Sequence, residues 1–146
     1  MKKLYNILLI FVLAAAVTGC NDEDNIDTIF ASGTWSVSNF VSPKGVVYHK
    51  AEDVMAIKAL TLSFNKDGKV YCTLTDGSRF EAKWMADGKK KTINFDNIHN
   101  EGSNIYDKDF IKTLREATKY EGDSRDLKIL DETGHGILVH HPKTKE

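Results

Sequence analysis

Leu60-Thr61-Leu62-Ser63-Phe64 alternates apolar and polar residues without a fault, and Asn65-Lys66-Asp67-Gly68 follows it. A period of two is the mark of a strand with one face buried. Asp-Gly after such a run is hairpin chemistry, because glycine takes the positive φ that the turn needs. The pattern then repeats. Val70, Cys72 and Leu74 alternate with Tyr71, Thr73 and Thr75, and Asp76-Gly77 turns the chain. Phe80, Ala82 and Trp84 alternate with Arg79, Glu81 and Lys83, Asp87-Gly88 turns it again, and Ile93 and Phe95 mark a further strand ending near Ile98. Strands joined by tight turns predict an antiparallel meander.

Outward from this centre the signals weaken. Upstream, Gly33 to Val41 reads as a strand with Trp35, Val37 and Val41 on one face. Ser42-Pro43-Lys44-Gly45 is a turn, Val46-Val47-Tyr48 a short strand, and Ala51 to Ala59 a short helix or a loop. Downstream, His99 to Tyr106 is polar and reads as a loop. Asp107 is placed to cap a helix carrying Phe110, Ile111, Leu114 and Ala117 at helical spacing, with Lys119 in its last turn. Tyr120 to Arg125 ends that helix. Leu127-Lys128-Ile129 and Ile137 to His140 are strands around a turn over 131–136, and a tail begins near His141.

The N-terminus has a different character. Met1-Lys2-Lys3 is basic, Leu4 to Val17 is apolar, and Val17-Thr18-Gly19-Cys20 closes the run. The run has the length of a secretory h-region and is too short to span a bilayer as a helix. The segment resembles a bacterial lipoprotein signal peptide, with Cys20 as the lipidation site. That resemblance implies cleavage before Cys20, acyl chains such as palmitate on it, and a membrane partner reached through the anchor. Two or more chains give a lasting tether where one gives a marginal one. Asn21 to Asn25 is polar and acidic and reads as a solvated linker. An acidic cluster at this place resembles the surface-export signal of Bacteroides-type lipoproteins, so an outer-membrane lipoprotein facing the periplasm or exposed on the cell surface is expected. Asp27-Thr28-Ile29 resembles the O-glycosylation acceptor of the same group, with Thr28 as its acceptor.

Composition limits the function. Twenty Lys and Arg stand against 21 Asp and Glu; losing Lys2 and Lys3 with the leader takes the net charge from −1 to −3. No basic excess points to nucleic acid. With Cys20 lipidated, Cys72 is alone and no internal disulfide forms. The expected organisation is a signal peptide over 1–19, an acidic tether over 20–29, a barrel domain over 30–141 and a tail over 142–146.

The order of elements carries a second resemblance. Gly33-Thr34-Trp35 opens the first strand. Leu60-x-Leu-x-Phe64 and Asp67-Gly68-Lys69-Val70 form a hairpin. Phe110 to Leu114 is followed by Ala117-Thr118-Lys119-Tyr120, then Leu127-Lys128-Ile129, Asp131 and Gly134. This is similar to the META-domain (HslJ-like) family. It implies a mainly β fold: a small antiparallel meander closing into a lipocalin-like β-barrel, with one helix near the C-terminus. The Cys pair of many META domains is absent, and the resemblance lends no catalytic residue.

The residues themselves point to no chemistry. His140 and His141 are adjacent on a strand and face opposite ways, so they make poor joint ligands, and His49, His99 and His135 show no metal-site spacing. Asn65-x-Asp67-Gly68 lacks the Gly and Glu of a calcium loop. Cys72 shares a face with Val70 and Leu74 and reads as a buried thiol. No nucleophile, phosphate-loop or dinucleotide motif is present. Trp35, Phe64, Phe80, Trp84 and Phe95 either line a ligand cavity or fill the barrel, and their bulk favours filling. The expected function is that of a non-enzymatic, cofactor-free cell-envelope protein. It would bind or interact with envelope proteins in envelope maintenance or stress response. The alternative is a lipocalin-like carrier of a small apolar ligand.

Overall fold

The computed structural model describes residues 23–142. The signal peptide, Cys20, the first part of the tether and the tail after Pro142 lie outside the described residues.

Among the described residues, nine strands run β1 Thr34–Ser42, β2 Gly45–Val46, β3 Thr61–Phe64, β4 Lys69–Thr73, β5 Arg79–Asp87, β6 Thr92–Asp96, β7 Lys119–Gly122, β8 Asp126–Leu130 and β9 Gly136–His140. The described residues also form the helices α1 Ile26–Phe30, α2 Ala51–Ile57 and α3 Ile105–Glu116. The sheet order is β2-β1-β3-β4-β5-β6-β7-β8-β9, and β1 also pairs with β9. That pairing closes an antiparallel barrel of eight strands, with two-residue β2 as a flap on β1. All pairings are antiparallel.

The central meander stands as its alternation predicts. Leu62 pairs with Cys72 and Cys72 with Phe80, so one face of β3–β4–β5 is continuous. Gly68 and Gly77 hold φ of 89° and 86° in their turns. Gly88 does not use a positive φ. It is glycine for another reason: a Cβ there would strike the backbone of Asp24.

Several flanking elements differ from the expectation. The register of β1 against β9 shifts between Val37 and Asn39. This bulge turns Phe40 into the core beside Trp35 and Val37, and sends Val41 to the other side. The cap of α3 is Asn104, whose side chain accepts from the Asp107 backbone N at 2.9 Å. Asp107 is instead the third helical residue and fully buried. Its carboxylate accepts from Thr75 N (3.0 Å), Thr75 Oγ1 (2.9 Å) and Ser103 Oγ (3.1 Å), which ties the β4–β5 turn to the helix. The helix ends at Glu116, and Lys119–Gly122 is a strand. Tyr120 is buried there, because the β6–β8 gap has to be bridged to close the barrel.

The largest revision concerns the tether. The chain joins the barrel before residue 30. Asp24 donates its N–H to Gly88 O (3.1 Å), its carboxylate lies 2.6 Å from Lys91 Nζ, and it accepts from Tyr120 Oη at 2.9 Å. The helix α1 follows, capped by Asn25, with Ile29 and Phe30 buried. Thr28 lies on its exposed side.

Phe30 is the plug. It is fully buried, and its ring lies 5.1 Å from Phe64, 5.4 Å from Trp84 and 5.0 Å from Tyr120. Trp35 Nε1 donates to the Phe30 carbonyl at 3.0 Å. Burying one phenyl ring this way contributes about 1.5–3 kcal/mol.

Candidate functional site

The five aromatics singled out from the sequence go to three places. Trp35 is fully buried. Phe64 and Trp84 are in the core, 5.1 Å apart, with Phe95 half-buried 6.0 Å from Phe64. Phe80 is half-buried against the same core. Trp84 satisfies its N–H on the Asn65 carbonyl at 2.9 Å. Phe64 and Trp84 pack on Phe30 and on each other, and Phe95 packs on Phe64. Sequence reasoning set Phe30 at the domain edge and missed it as the residue that fills the interior.

Cys72 is fully buried on β4, and desolvation pushes its thiol well above the ordinary value. Among the described residues, no three His, Cys, Asp or Glu side chains converge to hold a metal. His141 has a partner on each ring nitrogen. Its ring stacks on Trp35 at 3.9 Å, with Nε2 2.9 Å from Ser32 Oγ and Nδ1 2.9 Å from the Thr34 carbonyl. Ser32 also donates to the Ile29 carbonyl at 2.7 Å. A serine beside a histidine suggests nucleophilic chemistry, but the second ring nitrogen faces a carbonyl and not a carboxylate. The contacts tie the last strand to the end of α1, where the sequence suggested a tail.

A surface depression lies at the other end of the barrel, where β1 finishes. It is a groove of about 370 Å³. Its floor is apolar, from Phe40, Val41 and Val47. One wall is the outer face of α3, where Asp109, Lys112, Thr113 and Glu116 recur at helical spacing. The facing wall is the β8–β9 turn with Asp131, Thr133 and His135.

Each wall is held from behind. Asp131 Oδ1 accepts from Thr133 N (2.8 Å), Thr133 Oγ1 (2.6 Å) and His135 N (3.0 Å). Burial raises this carboxyl, but those hydrogen bonds outweigh it and hold the group below the usual range. Tyr48 closes one side. Asn39 fixes its backbone from both directions, donating to Tyr48 O (2.7 Å) and accepting from Tyr48 N (3.1 Å). Its ring meets Tyr106 at 5.7 Å, and Tyr106 donates to Asp53. That bond first, then desolvation, pushes the Tyr106 hydroxyl up to about 12. Burial and the Asp109 carboxylate raise Tyr48. The groove thus combines an apolar floor with charged walls of both signs, an arrangement suited to holding a peptide segment or loop.

A family model described as a domain of unknown function (DUF4847) matches residues 21–142. The chain belongs to the DUF4847 family. A solved structure, the crystal structure of a DUF4847 family protein from Bacteroides vulgatus, has a TM-score of 0.70 and 27% identity. The match covers 83% of this chain and all of that one (100%). No curated protein matches. The lipocalin-like barrel expected from the sequence is therefore shown, within the DUF4847 family. The family match starts at residue 21 and takes in Asp24 and α1, in keeping with a domain that begins before Phe30.

Proposed function

We propose that this DUF4847 domain is a lipid-anchored, non-enzymatic interaction module of the bacterial outer membrane. The likeness to META domains belongs to the same proposal and rests on the shared order of hairpin, helix and closing strands. The anchor is Cys20, supported by the apolar run and Val17-Thr18-Gly19 before it. Thr28 is the proposed sugar acceptor, on the exposed side of α1.

The observation that carries the interaction reading is where the space lies. The barrel interior is occupied by Phe30, Trp35, Phe64 and Tyr120, while a groove with an apolar floor opens at its end. A carrier needs a pocket of about 300 Å³ or more that encloses its ligand, and the plug stands where a carrier would hold one. A surface groove with charged walls suits a protein partner in envelope maintenance or stress response.

Two measurements test this. Cys20→Ala should leave the membrane fraction on a carbonate wash and lose palmitate labelling; retention in the membrane overturns the anchor. For the groove, cross-linking of the lipidated form in its own envelope should capture a partner that Val47→Asp no longer captures. Capture unaffected by that change, in a variant that melts normally, sets the groove aside as the binding surface.

A further inference from the structure

The structure shortens the tether, and the consequence is an orientation. Asp24 is held on the barrel by Gly88, Lys91 and Tyr120. Only Asn21-Asp22-Glu23 stand between Cys20 and Asp24 in the sequence. From Cys20 to Asp24 the chain reaches at most about 14 Å. The headgroup layer takes up roughly 6 Å of that. The β5–β6 turn beside Asp24 is thus confined to about one Debye length of the bilayer surface, ~8 Å at physiological salt.

The end so confined carries charges of both signs. Lys89, Lys90 and Lys91 follow Gly88 in sequence, and Lys119 shares a groove with Lys90 and Asp24. Glu23, Asp24 and Asp87 lie at the same end. Asp24 is paired with Lys91, and Asp87 turns back on its own turn, accepting from Lys89 N (2.9 Å) and Lys90 N (3.1 Å). Glu121 shares the groove. Among the described residues, no carboxylate lies within ion-pair distance of Lys89, Lys90 or Lys119. Met85, 73% exposed, lines an adjoining depression with Ile26 and Lys90, beside Glu23, Asp24 and Asp87. An exposed thioether with a lysine stem beside it suits a lipid interface.

We propose that this end of the barrel, with Lys89, Lys90, Lys119 and Met85, lies against the headgroups of the bilayer that holds Cys20. The groove at the far end of β1 then faces away from the membrane. The inference rests on the lipid-anchor reading above.

The experiment uses the full-length lipidated protein in vesicles of phosphatidylethanolamine and phosphatidylglycerol, three to one by design. Cys20 is acylated and Cys72 is buried, so an added cysteine takes an environment-sensitive dye selectively. Lys89→Cys reports the proposed face. Arg79→Cys, at the opposite end of β5, reports a point roughly 20 Å farther along the barrel. Headgroup-located quenching lipid should remove most of the Lys89→Cys signal and leave the Arg79→Cys signal unchanged. Equal quenching of both, or quenching at position 79 alone, in protein that floats with vesicles overturns the orientation and leaves the anchor standing. The same holds if position 89 is unquenched by lipid but cross-links to a membrane protein in cells. Protein that fails to acylate at Cys20 and does not float overturns both.

Discussion

Phe30 shows what a single side chain contributes here. It sits at the end of a five-residue helix and fills the space among Phe64, Trp84 and Tyr120. Phe30→Ala should cost about 3–5 kcal/mol, read as a lowered denaturant midpoint. It should also admit an apolar dye that the wild type excludes. Trp84→Ala should cost a similar amount by the same route, about 3–5 kcal/mol. Gly88 is a second decisive position, since its missing side chain is what lets Asp24 lie on the turn. Gly88→Ala should destabilise by about 1–3 kcal/mol and make the chain before α1 cleavable by protease while the barrel resists. Acid should act on the same clasp. The Lys91 and Tyr120 bonds lower the Asp24 carboxyl against a smaller effect of burial. A lowered folded-state value stabilises above the unfolded-state value, and that stability is lost as pH falls. Protease sensitivity near residue 24 should therefore rise below the ordinary carboxylate range, and a rise toward alkaline pH would contradict it.

Among the elements, α3 and the segment after it were the least legible. Asp107 satisfies the composition rule for a helix cap, yet Asn104 holds that place, and Asp107 is pulled inward by Thr75 and Ser103. Asn104→Ala should cost about 1 kcal/mol, measured by denaturation. No cost would show that the Asp107 bonds hold the helix start unaided. Lys119 to Gly122 reads as a helix end because Lys119 suits one and Gly122 stops one. It forms a strand because β6 and β8 need a partner between them. The bulge in β1 was equally hidden, since Val41 fits the alternation and Phe40 does not. By contrast β3, β4 and β5 match their alternation residue by residue. Their faces are set by neighbours a few positions away, so the information is local.

At the scale of the whole molecule, closure turns local faces into a sealed core. Cys72, alternating with exposed neighbours, becomes fully buried with its thiol held neutral. It should resist thiol reagents at mildly alkaline pH in the native state and react on unfolding; prompt native reaction would mean that the barrel opens there. The mainly β class, the central meander with its turns, the unpaired Cys72 and the aromatic character of the core are all legible along the chain. These follow from period-two burial and turn chemistry, which operate over a few residues. That Phe30 plugs the barrel, that Asp24 shortens the tether, that His141 locks the last strand, and that α3 and the β8–β9 turn enclose a groove emerge from the folded chain alone. Each of these depends on contact between residues separated by tens to over a hundred positions. Such contacts arise when the β1–β9 pairing closes the sheet, and no local pattern encodes where they fall.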